Sequence, residues 1–363
     1  MNAAVPSPQR VVWQRFRGHR LALLSGVVVT VLLVLAAAAD LVAALTGWKA
    51  TDVDLQATLI PPLTAGHVLG TDELGRDVLM RLIYGGQVSL SVGIVSAFSG
   101  ALIGTAVGLI AGYYGGVVDA VLMRLTDAAL SIPLLPLMIV FSALDPVKLF
   151  GGATLADGVV SALLGALLLN GLVALSRRGT GEAWRGIGVG VLGVFVVLMV
   201  AWLVLFRVVD WRTLGKGSGG GAVQLILLIV LFGWMTVARL ARAATLQIKS
   251  MEYITATRAL GATDARILLR HVLPNALAPI IVATTLEVGA NILYEAALSF
   301  LGLGIKPPTP SWGNMLTNAQ DYIYRAPLLA LWPGLLILTT VASFNFLGDG
   351  LRDALDPRRV IKR

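Results

Sequence analysis

The stretch that decides the fold is a polar, basic loop between two long apolar runs. Residues 252–275 have the sequence EYITATRALGATDARILLRHVLPN. The pattern predicts a short helix, a glycine that can take a positive φ angle at Gly261, and a second helix that Thr263 or Asp264 caps and Pro274 ends. Small residues at the turn make this segment a compact helical elbow, which can fit into a cleft of a partner protein and push on the adjoining helices.

The chain on either side of the elbow has the composition of a membrane-embedded protein. Hydrophobic residues make up 57% of the 363 residues and charged residues only 13%, whereas a soluble domain carries about 25% charged residues. Runs of about 20 apolar residues cross the roughly 30 Å hydrocarbon core as helices. We therefore predict an all-α, polytopic transmembrane bundle of eight spans, at residues 22–39, 88–111, 118–142, 155–175, 186–206, 222–242, 276–297 and 327–347.

The basic residues indicate the orientation of this bundle. They concentrate in residues 1–20, 239–270 and 358–363, and each cluster adjoins an apolar run. This distribution follows the positive-inside rule and is not the single patch that a nucleic-acid partner requires. We expect both termini and the elbow to lie on the cytoplasmic side.

Glycines recur every four residues in the second span, at Gly100, Gly104, Gly108 and Gly112. Small residues at this interval form a smooth helix face that lets a neighbouring backbone approach closely. The stripe predicts either a static packing surface or a moving contact between helices.

Three further stretches make a resemblance to a known family specific. Residues 69–78 are LGTDELGRDV, residues 111–116 are AGYYGG, and residues 298–313 contain LSFLGLG followed by PPTPSWG. Near the C-terminus, residues 345–357 are NFLGDGLRDALDP. Together these resemble the C-type permease subunit of dipeptide, oligopeptide and nickel ABC importers. The elbow resembles their cytoplasmic loop aligned on Gly261, with Thr255, Thr257 and His271 replacing the usual Glu, Ala and Ile.

The resemblance implies a function, a fold and partners. The fold would be the type I importer permease, and the function would be the passage of dipeptides or oligopeptides across the inner membrane, energised by partner ATPases. The partners would be a homologous B-type permease, two cytoplasmic ATPases, an extracytoplasmic peptide-binding protein and the lipid bilayer. The elbow would be the coupling helix that docks in an ATPase groove. Its contact residues would be Thr255, Ala256, Arg258, Ala259, Gly261, Ala262 and Asp264.

The chain departs from the usual six spans by an insertion. Two extra spans there keep the elbow cytoplasmic, because only an even number preserves its side. The resulting parts are a basic cytoplasmic N-terminus (1–21), three spans with an outer segment at 47–83 (22–142), the insertion (143–221), core spans with the coupling loop 243–274 (222–348) and a cytoplasmic tail (349–363).

A polar stripe in the seventh span is the candidate transport route. Glu287, Asn291 and Glu295 are spaced by four and so share one helix face. Ionisable groups at this depth are costly in lipid and face the protein interior or a water-filled cavity. The stripe either lines the route and meets the ammonium group of a peptide, or holds helices together by hydrogen bonds.

Other functions are weighed against this one. A membrane-embedded enzyme would need a nucleophile–base set or a metal cluster, and the sequence suggests neither; Cys is absent and three His residues are scattered. We expect no cofactor and no catalysis, with ATP bound by another subunit. A nickel-complex permease and a secondary transporter remain as alternatives.

Overall fold

The computed structural model describes residues 8–143 and 220–355, and every regular element in that part of the chain is helical. The elements are α1 (Pro8–Gly18), α2 (Arg20–Ala37), α3 (Ala39–Thr46), α4 (Val78–Tyr114), α5 (Gly116–Leu130), α6 (Leu134–Ala143), α7 (Gly220–Lys249), α8 (Glu252–Ala259), α9 (Asp264–Ile267), a π-helical turn (Leu268–Val272), α10 (Leu273–Phe300), α11 (Trp312–Gln320) and α12 (Leu328–Leu355).

The membrane-spanning helices agree with the predicted spans. Among the described residues, five helices are long and apolar enough to cross a membrane, and six if the bent pair α5–α6 counts as one. The all-α bundle is therefore confirmed. The predicted spans at 155–175 and 186–206 lie outside the described residues.

The second span is longer than its apolar run predicts. Helix α4 begins at Val78, ten residues before the predicted start and inside the predicted outer segment 47–83. Asp77 caps it, because its carboxylate accepts the backbone N–H of Met80 at 2.8 Å. The cap, and not hydrophobicity, determines where this helix begins.

The third predicted span, at 118–142, is not one straight helix. Helices α5 and α6 are bent by 79° at a short break. Pro133 lies in this break; it has no N–H to donate and it disfavours the helical conformation at Ile132.

The glycine stripe of α4 is a close contact with α7. A Cβ atom built on Gly104 would lie 2.4 Å from the carbonyl oxygen of Trp234, and one on Gly108 would lie 2.4 Å from that of Ala238. Real atoms do not approach this closely, so only glycine allows the two backbones to pack at this distance. The predicted smooth face is confirmed as a packing surface.

Helix α10 lies at the centre of the bundle, packed against α4, α7 and α12, while α2 packs on α12. Short helix α11 inserts between these helices at one end. Its Trp312 is 1% exposed, and the indole Nε1 donates to the carbonyl of Leu82 at 2.9 Å. Gly313 lies so close to α10 that a Cβ there would be 2.6 Å from the carbonyl of Ala296. The helices are therefore closely packed at this end of the bundle.

The two flanks of the undescribed residues 144–219 lie at that same end. Ser142 donates a hydrogen bond to the carbonyl of Leu303, and a Cβ built on Gly221 would lie 3.6 Å from the carbonyl of Gly304. The elbow lies at the opposite end, where α4 and α7 finish. The chain thus leaves and re-enters the described bundle on one side.

The predicted role of Pro274 is wrong. It does not end the second elbow helix, because α9, the π-helical turn and α10 form one continuous helical path from Asp264 to Phe300. In the π-helical turn the N–H of Leu273 donates to the carbonyl of Leu268, five residues back. Pro274 follows in the first turn of α10, where a missing N–H costs little.

Candidate functional site

The elbow has the local structure that its sequence predicts. Gly261 separates α8 from α9 with φ of +81°, a left-handed value that favours glycine. The hydroxyl of Thr263 accepts the backbone N–H of Arg266 and caps α9. Of the two capping residues that the sequence offers, the structure uses Thr263.

The elbow is fixed to the bundle on one face. Ile254 and Ile267 are fully buried, and they pack in a cluster with Leu109 and Tyr113 of α4. Both short helices therefore contribute a buried side chain to one cluster with α4. The elbow is thus attached to the ends of the spanning helices through an apolar cluster.

Tyr113 is the polar centre of this attachment. Its hydroxyl donates to Asp264 Oδ1 at 2.5 Å and accepts from Arg258 Nη2 at 3.2 Å. Lys249 donates to the backbone carbonyl of the same tyrosine, and the cations of Lys249 and Arg258 lie 5.6 Å and 5.7 Å from its ring centroid. The end of α4 is therefore tied to the end of α7, the end of α8 and the start of α9.

The predicted contact residues fall into two groups. Thr255, Ala256, Ala259 and Gly261 are exposed and point away from the bundle, together with Leu260, which is 89% exposed. In the second group, Arg258 and Asp264 bind Tyr113, and Ala262 is half-buried against the apolar cluster. The exposed group forms the tip of the elbow; the second group attaches it.

Sequence reasoning missed Leu260 and Tyr113. Leu260 precedes the turn glycine, and an apolar residue at the apex of a polar loop was a signal for contact. Tyr113 lies in the AGYYGG stretch, but nothing local relates it to Asp264, which is 151 residues away.

The residues of the predicted polar stripe have different environments. Glu287 is half-buried and hydrogen-bonded to Thr236 of α7. It lies 14 residues from Leu273 and 13 from Phe300, so it is about 20 Å from either end of α10 at 1.5 Å per residue. Glu287 is thus at the middle of the span and near the surface of the chain.

Asn291 and Glu295 are in the interior. Glu295 is fully buried and accepts hydrogen bonds from Ser89 at 2.7 Å and Ser299 at 2.8 Å. Ser89 also accepts the backbone N–H of Trp312 at 3.2 Å, so this carboxyl joins α4, α10 and α11. Asn291 is 2% exposed, and its side-chain oxygen has no partner among the described residues.

The loop at the end opposite the elbow is held by buried charges. Arg76 Nε donates to Asp72 Oδ2 at 2.7 Å, and Arg81 Nε lies 3.2 Å from the same oxygen. His67 Nδ1 lies 2.8 Å from Asp77 Oδ2. These groups order the loop, whose tip displays Leu63 with 85% of its surface exposed.

A large groove lies between α4 and α10. Its volume is about 790 Å³, and it runs from Phe98 and Val288 to Tyr114 and Ala265 beside the elbow. Its lining is apolar apart from threonines and the tyrosine. Such a groove suits a helix or lipid chains and offers no charged group to a cargo.

A bundle of apolar spanning helices with an exposed elbow anchored to one end is the architecture of a multi-pass membrane protein. The comparison with family models is more specific. Residues 104–361 match the binding-protein-dependent transport system inner membrane component, and residues 7–62 match the N-terminal transmembrane domain of oligopeptide transport permease C. The chain belongs to the family of binding-protein-dependent transport system inner membrane components.

Curated relatives match nearly the whole chain. A glutathione transport system permease protein of Pectobacterium atrosepticum is 32% identical, with 98% of this chain and 93% of the relative covered. A dipeptide transport system permease protein of Alkalihalophilus pseudofirmus is also 32% identical, with coverage of 97% and 90%. A glutathione permease of Escherichia coli is 34% identical, with coverage of 98% and 92%. The chain is a permease subunit of a peptide-type ABC importer and a multi-pass inner-membrane protein.

Proposed function

We propose that this permease carries short peptides, of the size of dipeptides and glutathione, into the cytoplasm. The observation that carries the proposal is the match over nearly the full length to permeases named for these two cargoes. Those names also favour a peptide over a nickel complex. ATP hydrolysis then belongs to partner subunits, and this chain supplies half of the route.

We propose that the elbow docks in a groove of a cytoplasmic ATPase. The support is its shape: a protruding tip of small residues with Leu260 at the apex, on a base that Tyr113 ties to α4 and α7. An apolar apex with small neighbours can enter a narrow cleft, and the rigid base transmits movement. The elbow end of the bundle, and with it both termini, is then cytoplasmic.

The opposite end then faces the binding protein. The loop at residues 47–77 displays Leu55 and Leu63, which are 70% and 85% exposed, on a backbone that buried ion pairs hold in place. Exposed apolar side chains on a fixed loop favour protein contact. The remaining half of the assembly is a homologous B-type permease.

The predicted division of the chain is carried forward as part of this proposal. The cytoplasmic parts are 1–21, 243–274 and 349–363, and the core spans lie in 22–142 and 222–348. The insertion 143–221 adds two spans outside the core. Within the core, Glu287 is the residue of the polar stripe that we assign to the route, while Glu295 holds the helices together. Asn291, whose side-chain oxygen has no partner among the described residues, stays a candidate for the route.

Reconstitution tests the cargo directly. The chain, its B-type partner, both ATPases and the binding protein are placed in proteoliposomes, and ATP-dependent accumulation of labelled dipeptide and labelled glutathione is measured. We expect accumulation of at least one, competed by unlabelled peptide and abolished when the ATPases cannot hydrolyse ATP. Accumulation of neither by a complex that hydrolyses ATP would refute the proposed cargo class.

A further inference from the structure

An exposed ion pair lies where α5 meets α7, at the depth of the spanning helices. Asp127 Oδ1 and Arg239 Nε are 3.8 Å apart, and their side chains are 60% and 59% exposed. Arg239 lies ten residues before the end of α7 at Lys249, which is about 15 Å along the helix axis. Both charges are therefore near the elbow-side boundary of the spanning segment, whose apolar run covers residues 222–242.

Glu287 continues this charged surface toward the middle of the membrane. Glu287 is hydrogen-bonded to Thr236, which is exposed and precedes Arg239 by three residues on α7. Thr236 and Arg239 are therefore about 4.5 Å apart along the axis of α7. We call Asp127, Arg239 and Glu287 the charged strip. It begins at mid-membrane and descends toward the elbow.

The charged strip differs from a second ion pair on the same two helices. Arg242 Nη2 donates to Asp119 Oδ2 at 2.5 Å, and these side chains are only 33% and 17% exposed. That pair is short, partly buried and suited to holding α5 on α7. The pair in the charged strip is long and open, which leaves oxygens and nitrogens available to another molecule.

Lipid is not a suitable neighbour for the charged strip. Ionisable side chains in the hydrocarbon region face the protein interior or a water-filled cavity because exposure to lipid is costly. The apolar groove between α4 and α10 is the surface that suits lipid or a helix. The strip instead suits water and a molecule with both signs of charge.

We propose that the charged strip binds the two ends of a peptide as it passes: Arg239 takes the carboxylate, and Asp127 and Glu287 take the ammonium group. This inference rests on the proposed function. Asp127 and Arg239 lie 3.8 Å apart, within the roughly 7 Å that two extended residues span, so one dipeptide can reach both signs of charge. The strip is then a contact surface on the cytoplasmic half of the route.

Cysteine labelling tests whether the strip is in water. The chain has no native cysteine, so Asp127→Cys and Arg239→Cys each introduce a single thiol. In the full complex in proteoliposomes we expect both to react with a charged methanethiosulfonate, and saturating dipeptide with binding protein and ATP to slow the reaction. Leu125→Cys is the matched control, because it is 62% exposed on the same helix but points about 160° away from Asp127, and we expect no reaction.

A thiol at position 127 that stays unreactive would place the strip under the partner permease and overturn the inference. Reaction that is indifferent to dipeptide, in a complex that transports dipeptide, would overturn the binding of peptide ends. If the unsubstituted complex moves no dipeptide, the proposed function fails and the peptide contact fails with it. The labelling pattern still reports in that case whether the strip is in water.

A charge swap separates cargo contact from a structural ion pair. Arg239→Gln should lower uptake of a zwitterionic dipeptide about tenfold, which corresponds to ~1.4 kcal/mol of lost interaction in the transition state. The double variant Asp127→Arg with Arg239→Asp should not recover uptake, because it reverses the polarity that the peptide meets. Recovery of dipeptide uptake to the original rate would show that Asp127 and Arg239 form only a structural ion pair and do not bind the peptide.

Discussion

At the scale of single residues, Gly261 is the position at which the proposed coupling role of the elbow can be tested. A Cβ there would meet nothing within 4 Å, so a larger side chain fits the isolated subunit but not a partner's cleft. We expect Gly261→Trp to insert into the membrane normally, to lose copurification with the ATPases, and to lose ATP hydrolysis that responds to the binding protein.

A matched control removes the effect of backbone strain. Gly47 also has a left-handed φ of +77° and open space around it, at the end of α3. Both tryptophan variants therefore carry a similar conformational cost of about 1–2 kcal/mol. If Gly47→Trp uncouples the complex as fully as Gly261→Trp, the loss reflects strain and the docking role is wrong.

Glu295 illustrates the structural half of the polar stripe. Truncation to alanine leaves the buried hydroxyls of Ser89 and Ser299 without their acceptor, and an unsatisfied buried group costs about 1–3 kcal/mol. We expect Glu295→Ala to lower the unfolding temperature of the detergent-solubilised complex, and Glu295→Gln, which keeps an acceptor, to lower it less. Equal unfolding temperatures for Glu295→Ala and Glu287→Ala would contradict the different roles of these carboxyls.

The stripe also shows how far a local pattern reaches. The spacing of four correctly places Glu287, Asn291 and Glu295 on one side of α10. The spacing does not predict which other segments cover that side of α10. Helix α11 with Trp312 covers the stripe at Glu295 but not at Glu287. Burial separates the three residues, and burial arises from segments that are distant in sequence.

At the scale of helices, the α4–α7 contact depends on the missing Cβ atoms. We expect Gly108→Ala to destabilise the subunit, because the new methyl would lie 2.4 Å from the carbonyl of Ala238 and 2.6 Å from Cβ of Ala241. Gly334→Ala in α12 is the control, since a Cβ there meets nothing within 4 Å. Alanine is favoured over glycine in a helix by roughly 1 kcal/mol, so this variant should be neutral or slightly stabilised.

Thermal unfolding of the two variants in the same detergent measures the difference. A Gly108→Ala variant as stable as Gly334→Ala would mean that α4 and α7 move apart at little cost. The glycine stripe would then be a moving contact, the interpretation that its sequence also allows.

Prolines show why element boundaries are harder to predict than elements. Pro133 breaks a predicted span, whereas Pro279 and Pro333 lie inside long helices and Pro274 begins one. The residue has the same local chemistry each time. What differs is whether packing on neighbouring helices, or a π-helical turn as before Pro274, compensates for the lost hydrogen bond.

At the scale of the whole molecule, hydropathy predicts the spanning helices and the distribution of basic residues predicts their orientation, but neither predicts which segments contact each other. The spanning helices of the described residues agree with the predicted apolar runs. The elbow lies where α4 and α7 end, as the loop sequence predicts. The sequence cannot show that Ser142 and Gly221 both lie beside residues 303–304, because that proximity depends on the packing of three helices. It is nevertheless the strongest constraint on the insertion.

Because the chain leaves and re-enters the described bundle at the end opposite the elbow, we predict an even number of membrane crossings for the insertion. Two crossings satisfy this and agree with the apolar runs at 155–175 and 186–206. The connecting residues near Arg178 would then be cytoplasmic, and Ser218 would be outside. Basic residues at Arg207, Arg212 and Lys216 oppose that outer placement by the positive-inside rule, so the topology needs a direct test.

Single cysteines in the cysteine-free chain provide that test. Leu63→Cys and Leu260→Cys mark the two ends of the described bundle, since both side chains are more than four-fifths exposed, at 85% and 89%. In intact cells an impermeant thiol reagent should label position 63 at once, and position 260 only after permeabilisation unless the ATPase shields it. Arg178→Cys should behave as position 260 does, and Ser218→Cys as position 63. Labelling of Arg178→Cys from outside together with protection of Ser218→Cys would exclude two crossings with this orientation, whatever the first two positions show.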